Sequence, residues 1–132
     1  MSPGTEKRVL QAAMCLTLML PMYAALTGVV RGPEFLDHNS ALTRDLDSHF
    51  RYLNGIFLAL LACYASTIPQ IERMTSRLRL LSMLVITGGL MRALSWALVG
   101  APTKGHRIGL VIELVIVPLM LLWQARLSRR FT

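Results

Sequence analysis

Arg92 is the single charge between Leu80 and Gly100, and Glu113 is the single charge between Ile108 and Ala125. A charge deep in hydrocarbon costs roughly 2.5–3.5 kcal/mol on insertion scales, so such residues pair, line cavities or carry function. Two opposite charges in neighbouring apolar runs therefore predict a buried ion pair, Arg92 with Glu113. A third polar group comes from "LDSHFRYLNG", residues 46–55. Residues three and four apart share a helix face, which aligns Asp47, Arg51 and Asn54, with Asp45, His49 and Tyr52 as a neighbouring stripe. Two carboxyl groups in unlike surroundings can divide the roles of acid and base. Glu113 and Asp47 are thus the candidate catalytic pair, suited to proton-driven isomerisation or cyclisation of a hydrophobic substrate.

The remaining candidates bind rather than react. Arg92 would anchor an anionic or oxygen-bearing group, and Arg51 and Asn54 would orient it. Ser95 shares the Arg92 face, as does Gly88, while Trp96 and Tyr52 stand near the rim. Trp96 and Trp123 also suit aromatic belts at the membrane–water boundary. His38, His49 and His106 accompany Glu34, Asp37, Asp45 and Asp47 on one side of the proposed membrane, but without metal-ligand spacing; no metal or other cofactor is expected. Cys15 and Cys63 read as small hydrophobes. Phosphate-binding, dinucleotide-binding and zinc-protease motifs are missing, so phosphoryl transfer, hydride transfer and zinc proteolysis find no support.

These residues need a scaffold, and composition names it. Of the 132 residues, 54% are hydrophobic and only 16% charged, and the mean hydropathy is +0.52. Soluble domains carry about 25% charge. A bilayer core takes about 20 apolar residues in a helix. Four runs qualify, predicting an all-α, integral membrane four-helix transmembrane bundle. Its helices are expected at about 9–30, 50–69, 79–100 and 108–126, with an outer loop at 31–49 that holds a short helix or cap, all in a single domain spanning 1–132. Pro21 and Pro118 fall inside runs and predict kinks. The first run is longer than the roughly 7–15 apolar residues of a signal peptide and lacks a small-x-small cleavage site, so it reads as a span.

The net charge of +7 sits in short clusters between the apolar runs rather than in a basic stripe, which argues against nucleic acid. Eight Lys and Arg residues flank one side of the proposed membrane and five the other. The positive-inside rule then puts both termini in the cytoplasm of a bacterial inner (plasma) membrane protein. At 1.5 Å per residue, Arg92 lies about 12 Å below the outer boundary and Glu113 about 7–8 Å, close enough for their side chains to meet across adjacent antiparallel helices. Gly88 and Gly89 would let a neighbouring backbone approach.

The stretches "LDSHFRYLNGIFLAL", "GGLMRALSWALVGAP" and "ELVIVPLMLLWQ" together resemble the small bacterial membrane proteins grouped as DUF4345, a domain of unknown function, over roughly residues 10–126. The matching positions are Phe50, Arg51, Gly55, Gly88, Gly89, Arg92, Glu113, Leu114 and Pro118. After Gly55 the chain reads "IFLALLACY" where a glycine-rich stretch is expected. The resemblance implies four transmembrane helices, DoxX-like in outline, and no established reaction.

Three functions remain open. One is a bundle that binds a hydrophobic or lipid-like small molecule at a buried polar pocket in its outer half, with acid–base chemistry as an added step. A second is a non-catalytic accessory subunit or assembly factor, in a homo-oligomer or larger membrane complex. The third is a small transporter, for which the two halves show no internal repeat. An enclosed pocket lined by Arg92, Glu113 and Asp47 favours the first; direct pairing of those side chains with no void, together with a broad exposed stripe of small residues for a partner, favours the second.

Overall fold

The computed structural model of the chain describes residues 1–36 and 43–131. It is a four-helix bundle in which every long helix is long and apolar enough to cross a membrane. Helix α1 spans Pro3–Arg31, α2 Arg44–Ala65 and α3 Thr75–Val99. Helix α4 spans Lys104–Ser128 and contains a π-helical segment, Ile112–Ile116.

The helix starts lie earlier than the apolar runs suggest, and the cause is capping. Ser2 accepts a hydrogen bond from the Thr5 N–H at 3.2 Å, and Pro3 occupies the first turn, so α1 begins six residues before Val9. Thr43 caps α2 in the same way, accepting from the Leu46 N–H at 3.1 Å. Asp45 and Asp47 follow in the first turn, where acidic groups favour the positive end of the helix dipole. The expected outer loop of 31–49 therefore shrinks: a short 3₁₀ turn at Gly32–Phe35 closes α1, and α2 is under way by Arg44. The second span ends at Ala65, before Ile68-Pro69, with a 3₁₀ turn at Ile68–Gln70.

The two internal prolines act differently from each other. Helix α1 continues through Pro21 without a break. Pro118 follows the π segment, in which the Val117 N–H reaches back five residues to the Ile112 carbonyl. Proline lacks the N–H that an α-helical register needs, and the wider π turn absorbs the mismatch just before it.

Packing is uneven along the bundle. Helix α1 lies against α2, and α3 lies along α4, giving two antiparallel pairs. The pairs join through α2 with α3 and through α1 with Val117–Ser128, the part of α4 nearest the C-terminus. The dense core belongs to that end: Leu10, Met14, Tyr64, Ile71, Leu78, Leu81 and Leu127 are buried together. Polar groups lock the same end. Glu6 is buried and accepts from the Trp123 indole N–H at 3.1 Å and from Arg130. The Gln124 amide, fully buried, donates to the Ile71 carbonyl at 2.6 Å and to Thr75 Oγ1 at 2.9 Å. Gln11 donates to the Ile68 carbonyl at 2.8 Å. The Glu6–Arg130 pair also shows that both termini lie at one end of the bundle.

Lys7 and Glu72 add an ion pair at this end, with Nζ 2.9 Å from Oε2. Glu72 lies in the turn between α2 and α3, outside the spans. Burial pushes its carboxyl upward, but the Lys7 ammonium, a backbone hydrogen bond and Arg73 outweigh that and hold it below the usual carboxylate value. A lowered value in the folded state means that stability is fully present above about pH 4.3, the ordinary glutamate value, and is lost as pH falls through the lowered one. Glu72→Gln is expected to cost about 0.2–1 kcal/mol at pH 7. The difference from wild type should shrink on acidification below about pH 4.3, as read by thermal unfolding in detergent at pH 7 and at successively lower pH.

Candidate functional site

The expected pair forms. Arg92 Nε donates to Glu113 Oε2 at 3.1 Å, and its Nη2 donates to Oε1 at 3.1 Å. This two-pronged contact uses both carboxylate oxygens and matches the planar fork of the guanidinium. Glu113 is 7% exposed, while the Arg92 side chain keeps 31%. Burying the carboxylate without the arginine would leave an uncompensated charge; with it, both prongs are satisfied.

Backbone geometry sets up the contact. Gly89 lies one turn before Arg92 and is buried against α4. A Cβ there would come within 2.9 Å of both Glu113 Cβ and Leu114 Cδ2, so only glycine lets the helices meet this closely. Gly88, the other half of the motif, faces open space. Glu113 itself sits inside the π segment of α4. Such single widened turns concentrate at functional sites, because they turn a side chain out of the regular helical register.

Beside the pair lies a partly open cavity of about 550 Å³. Its walls come from α1, α2 and α4, with Val85 and Arg92 from α3. Most of its lining is apolar: Met14, Leu18, Leu53, Phe57, Leu61 and Met120 are typical. Arg92, Glu113, Asn54 and His106 supply the main polar groups. At the densely packed end the Tyr64 hydroxyl is hydrogen-bonded to Ser82 and borders the same space. Toward the opposite end Phe35, Leu36 and Phe50 line it. The volume falls within the range of small-molecule sites, about 300–1,000 Å³, and so does the character, mostly apolar with a few convergent polar groups.

Of the expected site residues, Glu113, Arg92 and Asn54 line this cavity, and Asp47, Arg51, Tyr52, Ser95 and Trp96 do not. Arg51 has a different task. Its Nη1 donates to the Val29 and Val30 carbonyls at 2.6 and 2.8 Å, and its Nε donates to Asp47 Oδ2 at 2.9 Å. It thereby satisfies carbonyls at the C-terminal end of α1 that have no helical donor. Gly32 accommodates the clamp, with φ at +67° and Asp47 Oδ1 2.5 Å from where a Cβ would lie. The two-carboxylate arrangement of Glu113 with Asp47 is therefore not assembled in the cavity. Tyr52, 64% exposed, stacks on His49 at 6.5 Å between ring centroids. Ser95 and Trp96 lie on the exposed face of α3.

Asn54 earns its place through Gly28: a Cβ at Gly28 would lie 2.5 Å from Asn54 Oδ1, and the Asn54 amide donates to the Phe50 carbonyl at 2.8 Å. His106 belongs to the first turn of α4, 3.2 Å from Thr103 Oγ1, and borders the cavity. Trp123, read as a belt anchor, is a hydrogen-bond donor to Glu6. Among the described residues no three His, Cys, Asp or Glu side chains converge on a metal position, while His38 and Asp37 lie outside the described residues.

The glycine asymmetry is directly testable. Gly89→Ala is expected to destabilise the bundle by about 1–3 kcal/mol through overpacking against Glu113 and Leu114. Gly88→Ala should be neutral or stabilise by up to about 1 kcal/mol, since it adds helix propensity into open space. Thermal unfolding of the two variants in the same detergent distinguishes them.

No curated protein and no solved structure matches this chain. One family model does, the domain of unknown function DUF4345, over residues 9–124. That match takes in the Gly89–Arg92–Glu113 contact and reaches into each of the four spans, and the chain belongs to the DUF4345 family.

Proposed function

We propose that this protein binds a hydrophobic or lipid-like small molecule in the cavity beside Arg92 and Glu113. One observation carries the proposal: an apolar space of about 550 Å³ adjoins a buried charge pair, rather than the pair being sealed by packing. A pair that served helix register alone needs no such space. The ligand's apolar body would lie along Met14, Leu18, Leu61 and Met120, and its polar group would meet Arg92, Glu113 and Asn54. If the bound molecule reacts, the carboxyl available for proton transfer is Glu113, because Asp47 is engaged with Arg51 outside the cavity. Isomerisation or cyclisation would fit such a group.

We place the protein in a bacterial inner membrane with both termini cytoplasmic. The terminal end and the turn between α2 and α3 hold eight Lys and Arg residues against five at the other end, which supports that orientation. The cavity's polar group then faces the outer half of the bilayer. The accessory-subunit reading draws on the direct pairing of Arg92 with Glu113, which fixes the register of α3 on α4 whatever else the bundle does.

The test is native mass spectrometry of the detergent-purified protein beside Ala24→Trp, a substitution of a cavity-lining residue that fills the space. Wild type should carry a co-purifying small-molecule mass, and Ala24→Trp should lose it. An adduct of equal abundance on a folded Ala24→Trp protein would contradict the proposal.

A further inference from the structure

We infer that the cavity selects a ligand whose polar group is an uncharged oxygen, a carbonyl or hydroxyl, and discriminates against carboxylate and ammonium amphiphiles. This deepens the proposed function and rests on it. Among the described residues, Arg92, Glu113 and His106 are the Asp, Glu, Lys, Arg and His side chains that line the space. The first two neutralise each other through both prongs of the guanidinium. A ligand carboxylate at Arg92 would lie beside the Glu113 carboxylate in a poorly hydrated wall, and like charges there repel strongly. A ligand ammonium at Glu113 would meet Arg92 in the same way. Either ion would also lose its water on entering an apolar space whose described residues offer no free counter-charge.

A neutral oxygen faces neither penalty. A guanidinium has five N–H donors, and the contact with Glu113 uses two of them. The remaining donors can serve a carbonyl or hydroxyl oxygen, and a hydroxyl can also donate a hydrogen bond to a carboxylate lone pair. Lining residues also set the shape of the ligand. From Glu113 to Met120 the wall of α4 descends about 10 Å at the helical rise. Phe35, Leu36 and Phe50 continue the apolar wall on the far side. The polar contact is thus flanked by apolar surface in both directions, which fits an oxygen carried within or near the end of a long apolar skeleton.

The experiment titrates the detergent-solubilised full chain with three probes of equal carbon number: a long-chain methyl ketone, the fatty acid and the primary alkylamine. Binding is read by native mass spectrometry at pH 8, where a histidine of ordinary pKa is neutral. Wild type should bind the ketone at least about tenfold more tightly than either ion. Glu113→Gln removes the counter-charge and leaves Arg92 free, so its preference should swing to the fatty acid by a similar factor. A wild type that takes the acid or the amine as tightly as the ketone overturns this inference while leaving the cavity as a binding site. A ketone-selective wild type whose folded Glu113→Gln variant shows no swing removes Arg92 from the recognition. Binding of none of the three overturns both this inference and the proposed function.

Discussion

A charged side chain can stay in hydrocarbon only if its counter-charge stays with it, and that constraint organises the last two spans of this bundle. Glu113 is almost wholly buried, so Arg92 must reach it with both prongs. Reaching it requires α3 and α4 to approach closely, which requires glycine at position 89. It also requires Glu113 to point toward α3, and the π turn ahead of Pro118 sets the local helix register there. Gly89, the pair and the widened turn are one device spread over two helices.

The rest of the molecule divides into a closed end and an open one. At the closed end Leu10, Leu78 and Leu127 pack without exposure, and Glu6, Gln11 and Gln124 take up donors and carbonyls at the helix ends. Such hydrogen bonds matter most where no water competes. At the other end the two helix pairs are held differently. The Arg51 clamp fixes α1 on α2, the ion pair fixes α3 on α4, and the cavity lies between them. A bundle tied at one end and paired at the other is a natural container for an apolar molecule.

The spans and the charge pair were legible in the sequence because both are one-dimensional signals. Twenty uncharged apolar residues have few alternatives, and two lone opposite charges on adjacent antiparallel helices have one obvious resolution. Helix ends were less legible: Ser2-Pro3 and Thr43 extend α1 and α2 into polar sequence, where hydropathy gives no warning. The membership of the site was legible only in part. Asp47, Arg51 and Asn54 do share a face of α2, yet only Asn54 borders the cavity, because the end of α1 captures Arg51 and Arg51 captures Asp47. Same-face spacing cannot show which neighbour a face meets. The contacts of Glu6 with Trp123 and of Tyr64 with Ser82 join residues far apart in the chain, and no local pattern announces them.

The central claim is that Arg92 and Glu113 act as one unit, and a double-mutant cycle measures it most directly. Arg92→Gln, Glu113→Gln and the double variant would be compared with wild type by reversible unfolding in one detergent. Coupled residues are expected to show an interaction energy of about 0.5–3 kcal/mol, with the double variant costing clearly less than the two single variants combined. Strict additivity would mean that the two charges do not meet within the membrane.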